Sequence, residues 1–277
     1  MDLDAPVTEH LVDAPDAWRR LTLRHLLTMT SGLPGVGDLR RSLGPDPAQS
    51  EILAELYRRH PEPRPGEGWE YGNADFFVVQ AVLERAGGVG FQERMRREVL
   101  EPAGMTSAAY WRSHREVLPG AATGYYPDST VTPRLYVQRE FSFPTYQQAA
   151  GGLAASVEDL LRFDAALRDG RLLPDSLLTE MWADVDLPDG RIVSYGLGWD
   201  TKTHAPGERS AGHSGGYLTT FRVYPGSDLT VIALMNGLLR PVSPDVVASA
   251  FAAVWDPSIL GLERRPCDVE ALEGARF

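Results

Sequence analysis

Apolar residues follow two different rhythms along this chain. Up to about residue 187 they recur at helical spacing and are interrupted by Pro/Gly turns; beyond Gly190 the period shortens to that of strands. Leu23 to Thr30 is predicted to be a short helix, opened by Thr22 and stopped by Ser31-Gly32-Leu33-Pro34. A second helix is expected from Gln49 to Arg59, with Ile52, Leu53, Leu56 and Tyr57 turned to the core. The punctuated stretch HPEPRPGEGW then leads into Tyr71-Gly72-Asn73 and a helix from Ala74 to Ala86, apolar on nearly every side and so expected to be buried. Phe91 to Leu100 reads as an amphipathic helix ended by Glu101-Pro102, and 106–146 as long loops rich in Tyr, Pro and Thr. Ser156-Val157-Glu158-Asp159 fits a capping box for a helix running through Leu160, Leu161, Phe163 and Leu167 to Asp169-Gly170. Strands are predicted at Tyr195–Trp199, Tyr217–Tyr224 and Leu229–Met235, the last two joined by Pro225-Gly226-Ser227-Asp228, with a closing helix from Val242 to Trp255. There is no internal repeat. The pattern is α+β: one domain over 1–277, with a helical region at about 22–187, a sheet and C-terminal helix at about 188–257, and a tail at 258–277.

Composition narrows the function classes. With 43% apolar and 23% charged residues over 277 positions, the chain is globular. A formal charge of −11, with its basic residues scattered, argues against a nucleic-acid partner. Cys267 is the single cysteine, so neither an internal disulfide nor a cysteine metal site can form. The apolar runs, Phe76 to Val79 among them, are far too short to span a bilayer, and the acidic opening MDLDAPVTEHLVDAPD is not a signal peptide. A soluble, cytoplasmic protein is expected for the sequence as written, although a segment upstream of it would be free to carry an export signal.

The candidate chemistry begins with an exclusion. Gly212-His213-Ser214-Gly215-Gly216 fits G-x-S-x-G, the nucleophile elbow of α/β-hydrolases. That arrangement needs a helix directly after the serine and a histidine later in the chain. The six histidines (10, 25, 60, 114, 204 and 213) all precede Ser214, and the text after it reads as strand, so the elbow is rejected. No H-E-x-x-H or tight ligand cluster suggests a metal, no cofactor motif is present, and a P-loop is impossible because the only lysine, Lys202, lies in WDTKTH.

Five phrases are informative through their order: LTLRHLLTMTSGLPG (21–35), RPGEGWEYGNADFFVVQAVLERAGG (64–88), LEPAGM (100–105), AAGGLAASVEDLLRF (149–163) and GHSGGYLTTFRVYPGSDLTVIALMN (212–236). Each resembles, in sequence order, a block of the serine β-lactamase-like family, which includes class C β-lactamases, DD-peptidases and related esterases. The resemblance implies a helical region packed on an antiparallel sheet and attack on a small acyl or peptide substrate (β-lactam, D-amino-acid peptide or small ester) through an acyl-enzyme. It matches Tyr71-Gly72-Asn73 to the family's Y-x-N, in which the tyrosine serves as general base or proton relay and the asparagine contacts a substrate amide. The residues alone equally allow Tyr71 to pack and Asn73 to cap the following helix. A phenol acts as a base at neutral pH only with cations nearby, since its free pKa is near 10. The resemblance also matches His213-Ser214-Gly215 to the K-T-G or H-x-G strand. There His213 would act as a cation-capable substrate contact, and the Gly216 N–H would form half of an oxyanion hole. Tyr71 and His213 are thus the catalytic candidates, and Asn73, Ser214, Gly215 and Gly216 the substrate-binding set.

One family motif has no counterpart. S-x-x-K, which carries the nucleophile and its lysine one helical turn apart, occurs nowhere in these 277 residues. In the family it precedes a segment resembled here by MDLDAPV. The chain is therefore expected to be inactive as written, with a non-catalytic binding module using the same groove as the alternative. Ser31 lies in a turn where the family also has a serine, so a structural cap is expected of it. Met29 stands where the family usually has histidine, a change expected to leave the proposed site untouched.

Overall fold

A computed structural model of the protein describes residues 1–35, 43, 47–112, 116–127, 136–139, 145–204, 208–216, 219–237 and 243–260. Helix α1 (Leu23–Leu27) begins at Thr22, as expected: the hydroxyl accepts from the His25 N–H at 3.2 Å, and His25 Nδ1 accepts from the Thr22 N–H at 3.2 Å. It ends before Thr30 because Met29 takes a left-handed backbone (φ 57°) and turns the chain. Helix α2 (Gln49–Leu56) also stops short of Arg59, while α3 spans Asn73–Gly87 and closes on Gly88 at φ 64°. The spacing of apolar residues seats Ile52 and Leu56 of α2 and Phe77, Val78 and Val82 of α3 in one core with Trp18 and Leu26, all fully buried.

The predicted helix at Phe91–Leu100 is longer and less regular than expected. It comprises α4 (Phe91–Met95), a π-helical turn (Arg96–Leu100) and α5 (Glu101–Ala103). Glu101-Pro102 does not end it: the helix follows the π-helical turn through Pro102 and ends at Gly104, φ 74°. The expected long loops contain short pairings: β1 (Ala109–Tyr110) with β4 (Leu153–Ala154), and β2 (Gly124–Pro127) with β3 (Tyr136–Arg139). Helix α6 (Val157–Arg168) has the predicted cap, with Ser156 Oγ accepting from the Asp159 N–H at 3.1 Å. Helix α7 (Asp175–Met181) and the hairpin β5 (Val185–Asp186) and β6 (Ile192–Val193) are too short to give a periodic signal in sequence.

Strands β7 (Asp200–Thr203), β8 (Arg209–Gly215), β9 (Thr219–Tyr224) and β10 (Leu229–Ala233) form an antiparallel sheet in the order β10-β9-β8-β7. The strand expected at Tyr195–Trp199 is instead a loop, with pairing starting at Asp200. Gly198 sits at φ 81°, and a Cβ on Gly196 would lie 2.1 Å from the Met181 carbonyl oxygen. The two glycines therefore mark a tight bend that pairs Tyr195 only with Asp200. Residues 217–218 and 242, at the ends of the predicted strand and helix, lie outside the described residues, as does the tail from 261 onward with Cys267.

Alternation along the strands sorts the sheet into two faces. His213 is paired with Phe221, whose ring meets Phe163 of α6 at 5.8 Å and Trp199 at 6.1 Å, so this face looks to the helical region. The opposite face carries Arg222 and Tyr224. Tyr224 packs with Ala248 and Ala252 of α8 (Pro244–Trp255), which starts at the cap Ser243. No helix among the described residues is long and apolar enough to cross a membrane.

Candidate active site

Tyr71 reaches its position through a strap. Residues 66–72 are hydrogen-bonded to the turn after α1: the Gly66 N–H donates to the Thr30 carbonyl (2.8 Å), the Glu70 N–H to the Met29 carbonyl (3.2 Å) and the Gly72 N–H to Met29 Sδ (3.1 Å). Met29 therefore touches the Y-x-N segment directly, contrary to expectation, because its thioether is the acceptor for the backbone beside Tyr71. Beneath the strap Ser31 is buried, accepting from the Leu33 N–H at 2.9 Å and bonded to Asp75. That is the structural role expected of it. Asn73 is half-buried and is the first residue of α3; the capping position belongs to Gly72, and no side chain caps the helix.

Across the groove, β8 presents His213. Its ring centroid lies 5.9 Å from that of Tyr71, with the planes tilted by 35°, so the two catalytic candidates share one face. His213 Nδ1 is 2.9 Å from the Ser214 carbonyl oxygen and Nε2 is 3.2 Å from the Tyr195 hydroxyl. Tyr195 stands edge-on to both rings, at 6.3 Å from Tyr71 and 5.9 Å from His213, and Trp69 lies 6.1 Å from Tyr195. Tyr195 and Trp69 were not singled out by their sequence setting; the glycines at 196 and 198 were the cue that Tyr195 sits on a bend.

The substrate-binding candidates divide. Gly215 and Gly216 lie exposed at the end of β8, and a Cβ built on Gly216 would meet nothing within 4 Å, leaving room beside its N–H. Ser214 turns its side chain to the opposite face of the sheet, where Oγ donates to Asp245 Oδ1 at 2.9 Å. After Ser214 the chain passes into β9 and not into a helix, in keeping with the rejected elbow.

Electrostatics keep the phenols protonated. Desolvation in the groove, then the Asp200 carboxylate, push the Tyr71 pKa up. Tyr195 is raised more strongly, mainly by burial. The cations of the neighbouring strands are already engaged: fully buried Arg222 pairs with Asp200 at 3.2 Å and Asp245 at 3.0 Å, and Lys202 pairs with the same two carboxylates. Burial works against the Asp245 carboxylate, but bonds from Lys202, Arg222 and Ser214 hold its pKa below the usual value. Among the described residues no three His, Cys, Asp or Glu side chains are grouped to hold a metal ion. The arrangement can set an acyl group beside the aromatic cluster and donate hydrogen bonds to it; Tyr71 becomes a base only if a cation is brought to it.

Comparison with known proteins agrees with this architecture. The chain is 26% identical over 238 residues to the putative penicillin-binding protein PbpX of Bacillus subtilis (strain 168), covering 84% of this chain and 55% of that protein. It is 27% identical over 249 residues to penicillin-binding protein 4* of the same organism, covering 81% and 54%. The chain thus spans about half the length of these two curated relatives. The solved D-amino acid amidase from Ochrobactrum anthropi SV3, complexed with D-phenylalanine, superposes with a TM-score of 0.73 at 23% identity, over 92% of this chain and 78% of the amidase. The fold is accordingly the α+β fold of β-lactamases and DD-peptidases. The Beta-lactamase family model matches residues 1–252, and the chain belongs to that family.

Proposed function

We propose that this chain carries the substrate groove of a serine hydrolase that acts on a β-lactam, a D-amino-acid peptide or a small ester through an acyl-enzyme. One observation carries the reading: the rings of Tyr71 of Y-x-N and His213 of H-x-G lie side by side, their centroids 5.9 Å apart. In this reading Tyr71 is the general base or relay, Asn73 contacts the substrate amide, and the N–H of Gly216 steadies the developing oxyanion with Gly215 and the Ser214 backbone beside it. S-x-x-K is absent from these 277 residues, so this reading requires a nucleophilic serine and lysine supplied from outside them. The raised pKa of Tyr71 supports that division: the phenol is a proton holder until a lysine cation joins it.

The test compares the chain with a version extended by the upstream segment of its own locus. Alone, it should form no adduct with a fluorescent penicillin or a fluorophosphonate. The extended protein should label at a serine of the added segment, and Tyr71→Phe should lower its acyl turnover by about 10²–10⁴-fold. Stoichiometric labelling of Ser31 or Ser214 would overturn the assignment of the nucleophile. An extended protein that folds and binds acyl ligands without ever labelling would make this a binding module.

A further inference from the structure

The hydrogen bonds around His213 define its protonation pattern. A carbonyl oxygen only accepts, so the 2.9 Å contact with the Ser214 carbonyl requires the hydrogen to be on Nδ1. In the neutral ring Nε2 is then an acceptor, and the Tyr195 hydroxyl, 3.2 Å away, is the group that donates to it. Tyr195 suits that task because it is 4% exposed and rigidly held. Its own N–H donates to the Val193 carbonyl (2.9 Å), and the loop after it is tied to two helices through Leu197 N–H to Met181 O (3.0 Å) and Gly198 N–H to Leu27 O (2.8 Å). The phenol stays protonated in this setting, so the donor is permanent.

We propose that Tyr195 is a positioning residue: the Ser214 carbonyl sets the Nδ1–H tautomer of His213, and the Tyr195 hydroxyl closes its Nε2. The neutral His213 ring therefore presents its face beside Tyr71 with both nitrogens engaged, and offers no free N–H to a substrate. Polar contact with the acyl group passes to the backbone at the exposed end of β8, Gly215 and Gly216. The significance for turnover rests on the hydrolase reading above, but the tautomer is a property of the free protein.

Long-range ¹H–¹⁵N correlation spectra of the chain as it stands read this directly, with His213→Gln identifying the His213 signals among the six histidines. Near neutral pH the wild type should show a protonated Nδ1 and an unprotonated Nε2 for His213, with a slowly exchanging Tyr195 hydroxyl proton. Tyr195→Phe retains the ring against Trp69 and Tyr71, and it should leave a cooperative melt while the His213 Nε2 resonance shifts because its hydrogen-bond donor is gone. A wild-type His213 protonated on Nε2 alone overturns the proposal without any variant. So does a folded Tyr195→Phe protein whose His213 spectrum is unchanged. Neither result bears on whether an extended chain acylates, so the two readings fail separately.

Discussion

Burial of Asp75 in the first turn of α3 leaves Oδ1 without a hydrogen-bond partner among the described residues, while the Ser31 hydroxyl and the Asp75 backbone N–H bond to the carboxyl. Desolvation pushes its pKa up to about 8 despite the Ser31 bond. The folded state consequently keeps this proton up to about pH 8, whereas the unfolded chain releases it near 3.8. Between those values the unfolded state binds fewer protons, so stability falls as pH rises across the window. Asp75→Asn should remove that slope: urea denaturation of the two proteins should coincide near pH 4 and diverge by pH 8 in favour of the variant, by on the order of a few kcal/mol. Equal pH dependence in both would mean that Asp75 is ionised throughout. At this scale the sequence marked Tyr71 and His213, because each sits in a short phrase with fixed neighbours. Asp75 and Tyr195 were illegible, since what distinguishes them is burial and a partner across space: Tyr195 and His213 are 18 positions apart, and one lies on a bend, the other on a strand.

Strand β8 and the residue that follows it carry two glycines with opposite duties, Gly212 and Gly216. At Gly212 a Cβ would lie 2.2 Å from the Phe221 carbonyl and 2.8 Å from Arg222 Cα, so the bare backbone is what lets β8 and β9 close beside His213. Gly212→Ala should cost roughly 2 kcal/mol or more and shift the His213 and Phe221 resonances, as overpacking forces the ladder apart. Gly216→Ala, into open space, should stay within about 0.5 kcal/mol of wild type while weakening binding of any acyl ligand that approaches the N–H. If thermal melts rank the two variants the other way, the packing described for β8 is wrong. Elements with a long apolar rhythm or a side-chain cap, such as α3 and α6, were legible in the sequence nearly to the residue. Tyr195–Trp199 misled because its aromatic and apolar residues have strand composition, while the constraint that decides its shape, the Met181 backbone against Gly196, comes from another element.

Across the whole molecule, the sheet and the helical region have distinct means of cohesion. Apolar packing dominates among α1, α2 and α3, whereas β7, β9 and α8 are pinned by Arg222, Lys202, Asp200 and Asp245. Helix α8 then turns apolar residues outward as well as inward: Val246, Phe251, Val254 and Trp255 are 60–80% exposed. Such a surface attracts like surfaces. Sedimentation velocity should find concentration-dependent self-association of this chain, reduced in the double variant Phe251→Ser, Trp255→Ser with its fold intact; monodisperse monomers at every concentration would refute this. The family's helix-then-sheet order was readable from the order of phrases alone, while the two-sided apolarity of α8 acquires meaning only once one side is seen to be occupied by Tyr224 and Val231. The distribution of indoles has an optical consequence. Trp69, 37% exposed, stands beside Tyr195 in the groove, and Trp255, 80% exposed, stands on the outer side of α8, while Trp18 is wholly enclosed. Of the six tryptophans, Trp69 and Trp255 are the exposed ones among the described residues. Emission that changes when the site is occupied should therefore trace to Trp69 and emission that changes when the helix is covered to Trp255, each identified without an added dye as the part of the signal lost when that residue alone is replaced with phenylalanine.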